Sequence, residues 1–228
     1  TRTNHRVRHV FAQIFGTEDL CVGCDNIFFR NDAASEVVDA CRVTNLWPHA
    51  DQNAFNEPAG SYDCYQGVVY VWPATIDTSA TVVWPGSHRS VYRELMSEPG
   101  RWKGRGHFCP LNKRDVPVFE QRARRVPVPR GGVLLWSSKT IHQGWPNGPR
   151  LAVPVCFEPK SRRSQEALNS KVRCISHGAP TTHWASLAVP HSVHRPSDVV
   201  TTASGLVLKH AAHEHFGRHI PDAVMDIL

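Results

Sequence analysis

The sequence predicts a mainly β protein, an all-β barrel or jelly roll with helical additions at both ends. Three observations predict it. Short β-branched and aromatic runs recur through the middle of the chain. Gly and Pro clusters separate them, and helical spacing of apolar residues is confined to the two ends.

The elements follow in order. His5 to Gly16 sets Val7, Val10, Phe11 and Ile14 at helical spacing, and Gly16 suits the left-handed position that closes a helix. Leu20 to Val22 and Ile27 to Phe29 read as short strands. Residues 31–42 form a polar connection, and 43–49 lead into His49-Ala50-Asp51. Gln66 to Trp72 is the best strand of the chain, ended by Pro73. A turn over 76–80 precedes the strand Thr81 to Trp84, which Pro85-Gly86 stops. Residues 91–125 are a charged excursion holding a short helix near 92–97, and loops of that length are usually functional or mobile. Gly131-Gly132 turns into the strand Val133 to Trp136, then His142, a turn over 144–149, and the last clear strand, Leu151 to Phe157. A helix over 162–172, a His-, Pro-, Ser- and Thr-rich stretch at 177–200 and a terminal helix within 205–228 complete the reading. The whole chain, 1–228, reads as one domain with its core at 43–159. The insertion 91–125 and the extension 160–228 are expected on the substrate side.

At 228 residues, 41% hydrophobic and 20% charged, the chain has the size and composition of one soluble globular domain. No apolar run approaches the roughly 20 residues that span a bilayer. The chain starts at Thr1 without a Met, so an N-terminal piece has been removed or the chain is an excised domain; no signal-peptide core is visible. The net charge of +6 raises the question of a nucleic-acid partner. Lys and Arg are scattered, however, so a solvated surface is the better reading, and an anionic small substrate also suits the balance. Seven Cys without a disulfide spacing point to free thiols and a reducing compartment. Cys21-Val22-Gly23-Cys24 lacks the second half of a zinc site and reads as two buried thiols beside a strand.

The chemistry centres on His49 and Asp51. On an extended strand, residues two apart project from one face, so an imidazole and a carboxylate can meet one ion there. With a distant His they form the two-His, one-carboxylate set that holds non-haem Fe(II) and leaves adjacent positions open. His142 supplies that third ligand, and Arg150 follows at the head of a strand.

Taken together, His49-Ala50-Asp51-Gln52, Trp84-Pro85-Gly86-Ser87-His88-Arg89, Gly131-Gly132-Val133-Leu134-Leu135-Trp136, His142 and Arg150 resemble the phytanoyl-CoA dioxygenase family. The resemblance covers residues 43–159 well, 7–42 loosely and the tail hardly at all. It implies a double-stranded β-helix (cupin-type jelly roll) and a dioxygenase dependent on Fe(II), 2-oxoglutarate and O2. His49, Asp51 and His142 would hold the metal, and Arg150 the far carboxylate of 2-oxoglutarate in a bidentate fork. Such enzymes couple decarboxylation of 2-oxoglutarate, giving succinate and CO2, to oxidation of an unactivated C–H bond. Related halogenases carry a small residue in place of the carboxylate, so Asp51 argues for hydroxylation.

Family members often place a second hydroxyl donor two residues after the distal His or after the Arg. Here those positions hold Gly144 and Ala152, so Thr81 is the first candidate to replace it. Trp72 resembles a family Trp that lines the co-substrate pocket, and Gln66 on the same strand could reach it. Gln52, Asn53 and Trp84 are candidate substrate contacts. Ordinary barrel core or strand-end polarity would explain Thr81, Trp72 and Gln66 at least as well, turn formation explains Asn53 equally well, and His88 suits a structural place in its turn. The His-rich run at 177–194 reads as a lid or surface segment. The same fold and metal could also support desaturation, cyclisation or epoxidation, or a non-catalytic ligand-binding barrel. A small-molecule substrate is expected, but its identity is not legible.

Overall fold

A computed structural model describes residues 1–31, 47–176, 180–188, 200–202 and 205–208, the last two segments by backbone alone. The polar connection at 31–42, Cys41 and the lead into Trp47 fall almost wholly outside these residues, as does most of 205–228.

The chain opens with α1 (His5–Phe15), where the Asn4 side chain accepts from the Arg6 N–H and Gly16, at φ 67°, closes the C-terminal end. Then come β1 (Leu20–Val22), β2 (Ile27–Arg30), β3 (His49–Ala50), β4 (Tyr65–Tyr70) and β5 (Ala80–Val83). Helices α2 (Ser90–Leu95) and α3 (Pro99–Trp102) precede β6 (Cys109–Pro110), α4 (Val116–Arg122) and β7 (Arg124–Val126). The rest is β8 (Val133–Ser137), β9 (His142–Trp145), β10 (Arg150–Val155), β11 (Phe157–Pro159), α5 (Gln165–Ser176), β12 (Val200–Thr202) and β13 (Gly205–Leu208).

Two antiparallel sheets form the body. One runs β12-β13-β2-β10-β4-β8, the other β6-β3-β9-β5-β7, and β1 pairs with β11 in a small ribbon. This is the jelly-roll, double-stranded β-helix arrangement that the sequence predicts. Alternation along the strands sorts the side chains. Val69, Val153 and Val155 pack outward with Phe11 of α1 and Phe157, while Val68, Tyr70 and Ala152 face between the sheets. On the other sheet, Ala50, Val82 and Trp145 turn outward to meet Tyr92, Leu95, Trp102 and Phe119.

Residues 205–208 form β13, which pairs with β2, and the terminal helix expected within 205–228 otherwise lies outside the described residues. The structure departs from the sequence expectations in two places. The residues after His142 form β9, paired with both β3 and β5, where a turn was expected. Residues 91–125 are structured: β6 and β7 form the two edges of the five-stranded sheet, and α2 to α4 cover its outer face. Cys21 and Cys24 are buried beside β1, as expected, and no helix among the described residues is long and apolar enough to cross a membrane.

Candidate metal centre

His49 and His142 sit directly opposite each other on β3 and β9. Asp51 lies just past the end of β3, its N–H held by the Ser138 carbonyl at 3.0 Å. Its carboxylate oxygens stand 3.5 Å from His49 Nε2 and 3.3 Å from His142 Nε2. One potential ligand atom from each of the three falls within 4.8 Å of the others.

Both imidazoles are fixed in the same way. Nδ1 of His49 donates to the Trp47 carbonyl and Nδ1 of His142 to the Thr140 carbonyl, each at 2.9 Å. A carbonyl can only accept, so the protons lie on Nδ1 and the Nε2 lone pairs are left for a metal. Burial, and then the neighbouring His49, push the His142 imidazolium pKa down against the pull of Asp51. Burial raises the Asp51 carboxyl, but the neighbouring His49 and then His142 outweigh this and hold it well below the usual carboxylate range. Two Nε2 atoms and a carboxylate oxygen thus converge on one point, as a divalent ion requires.

The turn Pro85-Gly86-Ser87-His88 has a mechanical role. Ser87 Oγ accepts the Ile141 N–H at 2.8 Å, and the Trp84 N–H reaches the Ile141 carbonyl at 2.9 Å, which pins the residue before His142. Gln66, from the facing sheet, donates to Asp51 Oδ2 at 2.8 Å. Aromatic rings enclose the ligands. Trp47 stacks on His49 at 4.6 Å, Phe108 lies 4.5 Å from the same ring, and Trp136 lies 5.1 Å from His142.

A cavity of about 740 Å³ joins this cluster to Arg150. Arg150 is buried, with no acidic partner among the described residues; its Nη2 donates to Tyr70 Oη at 3.2 Å and Thr81 Oγ1 at 3.3 Å. The proton order can be worked out. Tyr70 Oη accepts from the Thr81 N–H at 3.0 Å as well as from Arg150, so its own proton goes to Thr81 Oγ1 at 2.9 Å. The Thr81 hydroxyl proton is then left over. A buried guanidinium, an unspent hydroxyl proton and an unpartnered Arg150 Nε together make a seat for a carboxylate. Gly144 borders that seat, where a Cβ would make only ordinary contact with Arg150 Nη1 at 3.7 Å and Trp47 at 3.8 Å.

The family model for phytanoyl-CoA dioxygenase (PhyH) matches residues 3–148. The chain belongs to the phytanoyl-CoA dioxygenase family. Ava biosynthesis cluster protein O of Aspergillus versicolor is 24% identical over 207 residues, 83% of this chain and 64% of its own. The chain therefore spans under two thirds of the curated relative it matches. Among solved structures, it resembles EctD from S. alaskensis with 2-oxoglutarate and 5-hydroxyectoine (TM-score 0.47, 12% identity, 72% of this chain and 52% of that one). It also resembles the epimerase SnoN with Fe3+, alpha ketoglutarate and nogalamycin RO (TM-score 0.45, 17% identity, 70% and 57%). Fe(II), 2-oxoglutarate and O2 are what this family uses, and the triad and the Arg150 seat fit the first two.

The other expected site residues fare unevenly. Thr81 and Gln66 line the cavity. Trp72 does not: the N–H groups of Val71 and Trp72 both bond to the Leu151 carbonyl, a bulge that turns Trp72 away to pack on Phe29 at 5.7 Å. Trp84 lies on the outer face of β5, 6.5 Å from Phe119. Gln52 and Asn53 are buried in loop contacts. Gln52 donates to the carbonyls of Ala59, Gly60 and Tyr62, and Asn53 to those of Trp102 and Gly106. None of these four reaches the cavity.

Tyr70 was missed, although its parity with Gln66 on one strand pointed to the same face. The register explains its role. Thr81 pairs with Gly144 and Tyr70 with Ala152, so each hydroxyl stands beside one of the positions where the family often carries its own.

Proposed function

We propose that this chain binds Fe(II) through His49, Asp51 and His142, seats 2-oxoglutarate against Arg150, Thr81 and Tyr70, and uses O2 to hydroxylate an unactivated C–H bond of a small molecule. The observation that carries this reading is the pairing of two Nδ1-anchored imidazoles and an ionised carboxylate with a buried guanidinium that has no counter-ion among the described residues, across one cavity.

When bound, the iron and 2-oxoglutarate would supply the oxidising power, with succinate and CO2 released. The protein's residues do the rest. Arg150 and the Thr81 hydroxyl grip the distal carboxylate and fix the register of the co-substrate along the cavity. Gln66 occupies one oxygen of Asp51 and stops the carboxylate turning. Asp51 itself fills the position that a halide would need, which favours hydroxylation. Trp47, Phe108 and Trp136 exclude water from around the ligands. Charges balance, since Fe(II) and Arg150 offset Asp51 and the dianionic co-substrate, as a dry cavity demands.

The test is succinate formation by the iron-reconstituted protein with 2-oxoglutarate and O2, with products analysed by mass spectrometry. Succinate release that needs iron, vanishes in His49→Ala and Asp51→Ala, and accompanies a gain of one oxygen supports the reading. Undiminished succinate release in both variants sinks it.

A further inference from the structure

The wall of the cavity facing the metal cluster comes from outside the barrel. Residues 180–188 form a strap pinned to the body by buried polar contacts. Thr181 and Cys24 exchange two hydrogen bonds, Cys24 N–H to Thr181 Oγ1 at 2.8 Å and Thr181 N–H to the Cys24 carbonyl at 2.7 Å. The Ala185 carbonyl takes the Lys171 ammonium and the Cys21 thiol, and the Ser186 N–H donates to buried Glu158 at 2.8 Å. Gly23, between the two thiols, lets the strap pass: a Cβ there would meet the carbonyls of Thr182 and His183 at 2.8 Å. Within the 177–194 run expected to be a lid or surface segment, residues 180–188 are therefore a fixed wall, and Trp184 is 1% exposed.

The chemistry of that wall is specific. The Trp184 ring lies 4.5 Å from His107, which enters the cavity from the other side with Phe108. His107 Nδ1 accepts the Asn53 N–H at 3.3 Å, so the neutral ring carries its proton on Nε2, which has no protein partner among the described residues. Burial, and then the nearby His183, lower its pKa to about 4, so the neutral form prevails at physiological pH. Arg150 is the single Lys or Arg among the described lining residues, and 2-oxoglutarate would claim it.

We propose that the substrate is an uncharged, ring-bearing molecule held against Phe108, with an acceptor oxygen hydrogen-bonded to the Nε2 proton of His107, which Trp184 backs from behind. Among the described lining residues no side-chain cation is left for a phosphate or carboxylate, and an ammonium could not accept the imidazole proton. The net charge that suggested an anionic substrate is not carried by these residues. This inference rests on the oxygenase reading, because only an Arg150 occupied by 2-oxoglutarate leaves the described lining without a free side-chain cation.

The experiment uses coumarin, chromone and 2-quinolone as neutral probes, with their ring carboxylates and benzylamine as charged counterparts. Binding is followed by ligand-observed NMR on protein loaded with Mn(II) and 2-oxoglutarate, and on metal-free protein. Neutral probes should bind at least tenfold tighter than either charged set. His107→Phe should weaken them about tenfold, His107→Gln should recover part of that through its amide N–H, and 2-oxoglutarate affinity should stay within twofold throughout. Equal or tighter binding of carboxylates or amine, no binding by any neutral probe, or neutral binding unchanged in His107→Phe would overturn the proposal. Failure of Mn(II) and 2-oxoglutarate to bind would fell the oxygenase reading instead, and the metal-free arm would still read the His107 contact through the weakening of neutral probes in His107→Phe.

Discussion

Thr81→Val tests the carboxylate seat with almost no change of shape. The substitution removes the hydroxyl that accepts from Tyr70 and Arg150 and that holds the spare proton for a ligand. A hydrogen bond to a charged group contributes about 1.5–3 kcal/mol, so the 2-oxoglutarate dissociation constant should rise roughly 10- to 150-fold. Tyr70 and Arg150 each lose an acceptor as well, which places the expectation in the upper half of that range. Calorimetric titration of 2-oxoglutarate into the Mn(II)-loaded variant reads the effect directly. Turnover at saturating 2-oxoglutarate should fall only a few-fold, because the metal ligands and their backbone anchors are untouched. An affinity within twofold of wild type, alongside loss of binding in Arg150→Gln, would refute the assignment of the leftover proton to the co-substrate.

Further outcomes follow from the same geometry. Gly144→Ser on the Thr81→Val background should restore much of the lost affinity, since position 144 is Thr81's cross-strand partner and does not need positive φ; the same titration checks it. Gln66→Leu frees Asp51 Oδ2 and should weaken Mn(II) binding about 10- to 100-fold, as losses behind metal ligands commonly do, measured by metal titration. Gly23→Ala drives a Cβ into two strap carbonyls and should cost about 1–3 kcal/mol, read as a lower Tm, with 2-oxoglutarate affinity nearly unchanged. His107 is held neutral by burial, then by His183, with a folded pKa of about 4. The unfolded chain then binds more protons between its ordinary pKa of about 6.5 and 4, so stability falls as pH drops through that window. His107→Phe should flatten this part of the pH–Tm curve.

The metal cluster was legible because its signal is chemical: two imidazoles and a carboxylate in family order are hard to explain as core. The cavity wall was not, because proximity in sequence misleads around a ligand strand. Gln52 and Asn53 adjoin Asp51 yet turn into loop carbonyls, and Trp84 has the parity of outward-facing Val82 rather than of Thr81. Trp72 shares its parity with Tyr70 and would face inward on a regular strand; the bulge at Leu151 reverses it, and composition does not announce a bulge. Tyr70 and Thr81 were separable from core only by cross-strand register, which one sequence does not carry. His107 and Trp184 come from segments outside the barrel strands, where no periodicity guides a reading.

The strap's residues divide their duties one by one. Thr181, Ala185 and Ser186 anchor the chain, while Thr182, His183 and Trp184 line the cavity. Preference for one molecule over another can therefore drift at positions 182 to 184 while the anchoring contacts stay intact. A lineage carrying this barrel could change what it accepts by altering three neighbouring side chains, without rebuilding iron or co-substrate chemistry.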